Sequence, residues 1–357
     1  MTEALRLIPA SEETEWRRWL APARHDFYHT ARYHQFSEQS GEGQAWLAVY
    51  GSAQRYLAWP YLLRPIPGSR LRDVTSVYGY PGPLWVGPAS DDCFLARARR
   101  QIAELWRSQN AVSVFSRFHP LLENHRWMEG PLDSAVSGGI KPSGTTVSID
   151  LTVPDAANWR EYQPSLRNRI NRARRLGLVT SADPAWNHLD QFALFYRATM
   201  VRNRALPFYF FPAEYFSRLR AAMAPHAWLM LTRVEDRIAA AGIFIEYAGI
   251  VQNHFCVNNP DYLHLAPSKV LLDDVRRWAR LRGNRVFHLG GGRGGNCDSL
   301  FAFKAAFSQA RHSFYTGRWV LDRDAYRRLC RMQPCQPADF FPAYRAAAIA
   351  EEGVAST

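Results

Sequence analysis

Lysine is nearly absent from this sequence. Of 44 basic residues, only Lys141, Lys269 and Lys304 are lysines; the rest are arginines. Cysteine is scarce too. The five (Cys93, Cys256, Cys297, Cys330 and Cys335) are scattered and include no CxxC pair. An odd, scattered set excludes a disulfide framework and a cysteine-based zinc site, so reduced structural thiols and no metal are expected. No apolar run approaches the ~18 residues of a membrane-spanning helix. The first residues, Met1-Thr2-Glu3-Ala4, are acidic where a secretory leader is basic. A cytoplasmic location is the expectation. Internal repeats, low-complexity tracts and long linkers are also missing.

What is present suits two packed domains: 357 residues exceed one ordinary core. Twelve Trp, 16 Tyr and 20 Phe supply large aromatic cores or stacking surfaces. The net charge is +12 and almost entirely guanidinium. Guanidinium binds phosphate bidentately and stacks on bases. The surplus favours an anionic partner such as RNA or a nucleotide-linked substrate. The alternative is a soluble basic surface with no ligand.

Periodicity predicts helices over Glu13–Leu20 and Phe94–Ser108. It predicts strands over Ala45–Tyr50, Gln54–Leu63 and Ala111–Phe115, with Val77–Val86 as Gly- and Pro-rich loop. A second unit begins near Thr145 with a β-branched strand, Thr145–Leu151. Helices follow at Ser165–Leu176, Leu189–Arg202 and Ala213–Ala224. Trp228–Val234, Arg237–Tyr247 and Ile250–Val257 then read as an antiparallel meander joined by Glu235-Asp236 and Ala248-Gly249. Next come a helix at Ser268–Arg282, a strand at Arg285–Leu289, a helix at Ser299–Phe307 and a strand around Phe314–Leu321. A last helix starts near Asp324. This is a mixed α/β order, that of a GNAT domain, and the first unit is a degraded version of it. Expected domains are 1–143, with 320–357 packing on it, and 144–319.

Several residues bear chemistry. Lys304 follows Phe303 on a short helix capped by Asp298. Leu300, Phe303 and Phe307 recur there as the expected buried stripe, with Lys304 one step round from it. A lysine among aromatics suits an oxyanion or phosphate in a partly dry cleft; the alternative is a lysine lying over the helix surface. Arg167, Arg169, Arg172, Arg174 and Arg175 crowd one helix beside the apolar stripe Leu166, Ile170 and Ala173. Such a cluster suits a phosphate backbone, or else is a solvated face. Arg202, Arg204 and Tyr209 sit in a loop broken by Pro207 and form a candidate anion or sugar clamp. Asn253, His254 and Asn258 place polar groups on a central strand, where His254 is a candidate base or a structural histidine. The glycines of Gly290–Gly295 lack the lysine placement of a phosphate loop. They let a strand turn sharply, and Arg293 among them could contact phosphate.

Five segments resemble one family. They are YGYPGPLWVG (Tyr78–Gly87), FSRFHPLLEN (Phe115–Asn124), LRNRINRARRLG (Leu166–Gly177), FYRATMVRNRALPFYFFP (Phe195–Pro212) and HLGGGRGGNCDSLFAFKAAFSQARHSFYTG (His288–Gly317). Together they resemble the FemABX transferases of peptidoglycan interpeptide bridges and their FemAB-like relatives, over roughly Asp26 to Leu329. The resemblance implies two tandem GNAT-like domains. It also implies transfer of an amino acid from aminoacyl-tRNA to an amine, with no further cofactor. It places the lysine of the FKxxF motif, here Lys304, at the tRNA end, and an Arg and Tyr of a comparable loop at the acceptor. The coiled-coil arm of larger members is missing.

The donor can also be argued from the loop Asn258–Pro267. A coenzyme A site of this fold needs backbone N–H groups before the following helix. This loop has no glycine, and Pro260 and Pro267 each lack a donor. Aminoacyl-tRNA is therefore the expected donor, with acyl-CoA-dependent N-acyl transfer as the alternative. A non-catalytic RNA- or glycan-precursor-binding protein is a third reading. The acceptor is expected to be a small or nucleotide-linked amine, such as a peptidoglycan precursor or natural-product intermediate. The sequence is silent on oligomeric state.

Overall fold

The computed structural model describes residues 3–89, 91–332 and 340–346, with the side chain of Phe208 excepted. Cys335 lies outside the described residues. The chain divides into two compact units: Met1–Ser143 with Ser313–Thr357, and Gly144–His312.

In chain order the first unit holds strand β1 (Ala4–Pro9), helices α1 (Glu13–Leu20) and α2 (Ala31–Gln39), and strands β2 (Gln44–Ser52), β3 (Arg55–Pro65), β4 (Arg72–Thr75) and β5 (Leu84–Val86). Helix α3 (Asp92–Ser108) and strand β6 (Ala111–Arg117) complete its first pass. Strands β1 to β4 pair in sequence as antiparallel neighbours. β6 then joins β4 in parallel, after the crossover through α3. α3 starts where Asp91 accepts a hydrogen bond from the Phe94 N–H, the capping geometry that satisfies an orphan donor. Its buried face sets Trp106 edge-on to Trp59, ring centres 4.9 Å apart. The stretch expected to be loop carries β5, which pairs with β3. Strands β1 and β4 and helix α2 were not foreseen.

The chain enters the second unit within β7 (Ser137–Asp150). There follow α4 (Asp155–Glu161), α5 (Pro164–Arg175), β8 (Val179–Ala182), α6 (Leu189–Arg202), α7 (Ala213–Met223), β9 (Ala227–Val234), β10 (Arg237–Tyr247) and β11 (Ile250–Asn258). Helix α8 (Pro267–Leu281), β12 (Val286–Gly291) and α9 (Ser299–Ala305) lead to β13 (Arg311–Val320), within which the chain returns to the first unit at Ser313. α10 (Arg323–Arg331) follows. β8 to β11 are antiparallel neighbours, β11 and β12 are parallel, and β12 pairs antiparallel with the 146–150 stretch of β7. The meander turns are tight because Glu235 and Ala248 take positive φ, at 51° and 48°, and Gly249 adopts 79° without Cβ strain.

Helices α5, α8 and α9 pack one face of this sheet, around Leu166, Ile170, Val270, Leu271 and Phe287. α6 and α7 pack the other, where Phe255 meets Tyr196, Tyr215 and Phe216. A buried ionic network clamps α5 and α8 together. Arg174 Nη2 donates to Asp273 and Asp274, both at 2.6 Å. Arg276, fully buried, donates to Asp273, to the Tyr162 hydroxyl and to Asp155. Removing one partner of such a network strands a buried charge, which costs about 3–5 kcal/mol.

Candidate functional site

The parallel seam of the second unit starts closed and then opens. β11 and β12 run in register at Ile250–Val286, Val251–Phe287 and Gln252–His288, and no further. The last pair is latched at 2.6 Å between Gln252 Oε1 and His288 Nδ1. Beyond it both strands are bulged. His254 is the extra residue of β11, because Asn253 faces Phe244 while Phe255 faces Ile243. Leu289 is the extra residue of β12, because His288 faces Ser148 while Gly290 faces Val147. A bulge bends its strand and re-aims the side chains around it. Two bulges at one level part the strands into a wedge.

Lys304 is at this wedge. Its ammonium donates to the carbonyl of Gly291 at 2.7 Å, and a side chain at Gly290 would meet it at 3.2 Å. The residue is only 9% exposed and makes no ion pair among the described residues. Burial pulls its pKa down to about 8, against the opposing pull of Cys256 and Asp298. Cys256, on β11, is pushed by burial up to about 12 and stays a thiol. A buried cation without a counter-ion is costly to fold around, and is the kind of group that meets negative charge arriving with a substrate. The expected stripe of α9 holds at Phe303 and Phe307, which pack in the core, and is corrected at Leu300, which is 36% exposed; Lys304 is buried in its stead, because this short helix turns its lysine side to the seam.

The polar residues of β11 divide. Asn253 Nδ2 reaches the Leu289 carbonyl across the wedge at 3.5 Å, and its buried Oδ1 has no partner among the described residues. Burial draws the His254 imidazole down to about 3, so it is neutral at physiological pH and a poor acceptor for a proton. Asn258 is structural: its Oδ1 accepts the Ser268 N–H at the start of α8. That start is spent in every position. Pro267 has no N–H, Ser268 is taken by Asn258, and the Lys269 N–H bonds to the Ala266 carbonyl.

The arginine helix presents different faces to different partners. Arg174 is turned inward to Asp273 and Asp274, and is structural. Arg169 and Arg172 are exposed and carry no ion pair among the described residues. With Ala173, Leu176, Leu263, His264, Leu265 and Ala266 they line a pocket of about 290 Å³. Arg175 is exposed and Arg167 half-buried, and both point elsewhere than the pocket. Lys269 bridges this pocket and α9, with its Nζ 4.5 Å from the centre of the Phe303 ring. Burial, with Arg169 nearby, pulls Lys269 to about 8. Arg293 is held by Asp298 at 2.8 Å. Arg202 and Arg204 are exposed around the end of α6, on the sheet face opposite α5. Tyr209 accepts a bond from the Tyr196 hydroxyl at its carbonyl, also on that face. The structure therefore brings Lys304, Phe303, Lys269 and Arg169 together and leaves Arg202, Arg204 and Tyr209 apart from them. Lys269, His264 and Cys256 carry no motif; the rarity of lysine was the only sequence signal for the first.

A family model described as an acetyltransferase (GNAT) domain matches residues 160–305. Among solved structures, FemX is similar at a TM-score of 0.67 and 12% identity, covering 92% of this chain and 99% of FemX. The C-terminal domain of a putative lysylphosphatidylglycerol synthetase from Agrobacterium fabrum gives 0.54 at 14% identity, covering 88% and 93%. L-PGS from Bacillus licheniformis gives 0.53 at 11%, covering 86% and 91%. A comparison with curated proteins finds no match. Likeness at these identities is likeness of fold. No described helix is long and apolar enough to cross a membrane. The chain has a FemX-like fold, two tandem GNAT-like α/β domains, and its second domain carries the acetyltransferase (GNAT) match at residues 160–305.

Proposed function

We propose that the protein is an aminoacyltransferase that moves an amino acid from aminoacyl-tRNA to an amine, forming an amide bond. The observation that carries this reading is the spent amino end of α8. A coenzyme A pyrophosphate needs free N–H groups there, and proline, Asn258 and Ala266 leave none at the first three positions. An RNA carrier is gripped instead by cations, and Arg169 and Arg172 stand without acidic partners among the described residues. The name of a structural neighbour, lysylphosphatidylglycerol synthetase, describes an aminoacylated product, which agrees with this reading.

The chemistry asks little of the protein. A neutral amine attacks the activated ester carbonyl, the new C–N bond forms, and the C–O bond to the ribose breaks. The amine's proton ends on the departing ribose oxygen. Alignment and charge stabilisation supply most of the acceleration. Lys304 sits where the wedge would hold the carbonyl, and its ammonium offsets the developing oxyanion. Asn253 offers a second polar group. No base is required, and the weak basicity of His254 fits that.

Charged tRNA incubated with the protein and an amine acceptor should be discharged, and Lys304→Met should abolish the discharge. No discharge across the full set of amino acids overturns the reading. A second reading, acyl-CoA-dependent N-acyl transfer, is favoured by the description of the matching domain as an acetyltransferase. Thermal stabilisation by coenzyme A but not by tRNA would establish it instead.

A further inference from the structure

The pocket beside α5 has no part in the acyl transfer itself, yet its lining is selective. Arg169, Arg172, Ala173 and Leu176 are spaced i, i+3, i+4 and i+7, so one face of α5 forms one wall. The opposite wall is Leu263, His264, Leu265 and Ala266, from the turn that precedes α8. The cationic members carry no carboxylate partner among the described residues. Arg174, on a neighbouring face of the same helix, has two. The helix thus spends one arginine on the fold and holds two out over a cavity. The walls are not wholly polar: Leu176 and Leu263 are 48% and 42% exposed, large apolar side chains left to solvent at the pocket. Two guanidiniums beside two bare leucines suit a ligand with a phosphate at one end and a flat or apolar group at the other.

Resting on the RNA-carrier reading above, we propose that this pocket binds a phosphodiester near the 3′ end of the RNA. Arg169 and Arg172 take the phosphate, and Leu176 and Leu263 take the adjoining sugar or base. The occupant is a single phosphate with its adjoining sugar or base, the span from the two arginines to the two leucines that line the pocket. Lys269 connects the pocket to the transfer site. Its backbone bonds to Ala266 in the pocket wall, and its ammonium lies on Phe303, the neighbour of Lys304. His264 adds a polar ring to the lining, and no acidic residue lines the pocket. Phosphate contacts of this type position a strand without reading its sequence.

The test measures binding of uncharged tRNA by the full chain across a salt series, with turnover of charged tRNA in parallel. Four proteins are compared: wild type, Arg169→Gln/Arg172→Gln, Lys304→Met, and Arg160→Gln/Arg237→Gln, which removes the same charge from exposed positions elsewhere in the second unit. The pocket pair should weaken tRNA at least tenfold at 0.1 M salt. It should also flatten the salt dependence by about 0.7, the contribution of one single-strand phosphate that is no longer neutralised. The control pair should change affinity less than threefold. Lys304→Met should keep the affinity while losing turnover. Equal losses in the pocket and control pairs overturn the pocket but leave tRNA-dependent transfer standing. Failure of the wild type to bind tRNA overturns both. Binding of anionic phospholipid vesicles by the pocket residues, with tRNA unaffected by their loss, assigns the pocket to lipid phosphate and overturns the proposal.

Discussion

The two units share a plan and differ at one seam. Each pairs four antiparallel strands and then, after a crossover helix, a parallel strand. In the first unit the parallel pair is β4 and β6, and the polar group buried there is Asp73. It is fully paired: Arg64, Arg345 and the Tyr344 hydroxyl all donate to it. Tyr344 also meets Ser113 of β6 at 2.7 Å. In the second unit the parallel pair is β11 and β12, both strands bulge, and the buried polar group is Lys304, bonded only to a carbonyl. One seam is satisfied from within its own unit. The other holds a cation that no carboxylate touches among the described residues, Asp298 acting on it only through space. On the proposed reading, two units of like plan divide stability and chemistry through the choice of which buried group keeps its counter-charge.

The sharpest way to break that comparison is Lys304→Met. If the lysine meets an oxyanion, turnover should fall by ~100-fold or more, the scale of losing one oxyanion donor in a dry site. Stability should move the other way, because the substitution removes an uncompensated buried charge. A folded-state pKa of about 8 against the ordinary 10.5 corresponds to about 3 kcal/mol of destabilisation near neutral pH. Kinetics and thermal melts on one preparation check both. A variant that loses activity and stability together would make Lys304 an ordinary structural residue.

Next in size is the pair Asp273→Ala and Asp73→Ala. Each strands buried guanidinium groups and should cost about 3–5 kcal/mol by denaturant unfolding. They should part in activity. Asp273→Ala frees Arg174 and Arg276 and loosens α5 from α8, so affinity for the RNA falls too. Asp73→Ala should leave the kinetic constants of the folded fraction within about twofold. Equal kinetic damage from both would erase the division of labour.

The pH profile sharpens the same contrast. Lys304 must be charged to stabilise an oxyanion, so turnover should fall as pH rises through about 8. Stability should rise over the same interval. Between about 8 and 10.5 the unfolded chain binds a proton at this lysine that the folded chain has released, so raising pH favours the fold. Lys269 has the same direction and adds to the rise. In Lys304→Met the rise should shrink. Parallel rather than opposed profiles would contradict the assignment.

Much of the second unit was legible because its signals are local. The meander, α6 and the capped α9 follow from periodicity, turn residues and Asp298. Lys304 stood out through its rarity and aromatic neighbours. Short strands such as β4, β5 and β8 were not legible, since three or four residues carry too little pattern to outweigh the prolines and glycines around them. Nor were the partnerships. Arg174 reads like Arg172 in sequence, and only the packing of α8 shows that one is bonded to Asp273 and Asp274 while the other is not. The same holds for Asn258, whose capping of α8 depends on a contact across the loop. The wedge itself depends on two bulges, which interrupt alternation by one residue and leave no compositional trace.

The smallest expected effect concerns His254. A strand histidine beside the proposed transfer site invites the role of base, and the bulge on which it sits makes the idea attractive. Its environment argues otherwise. Burial holds the imidazole at about 3, so the neutral ring is too weakly basic to keep a proton from an attacking amine near neutral pH. Its contribution is shape: it is the extra residue that parts β11 from β12 and packs on Phe255, ring centres 4.5 Å apart. His254→Gln keeps a polar side chain of similar reach and should lower turnover less than tenfold, with no shift in the pH dependence set by Lys304. His254→Gly, which loosens the bulge, should cost more than His254→Gln at every pH. A loss above 100-fold in the glutamine variant, accompanied by disappearance of an acidic limb in the rate profile, would restore the histidine as the base and move the proton's route off the substrate.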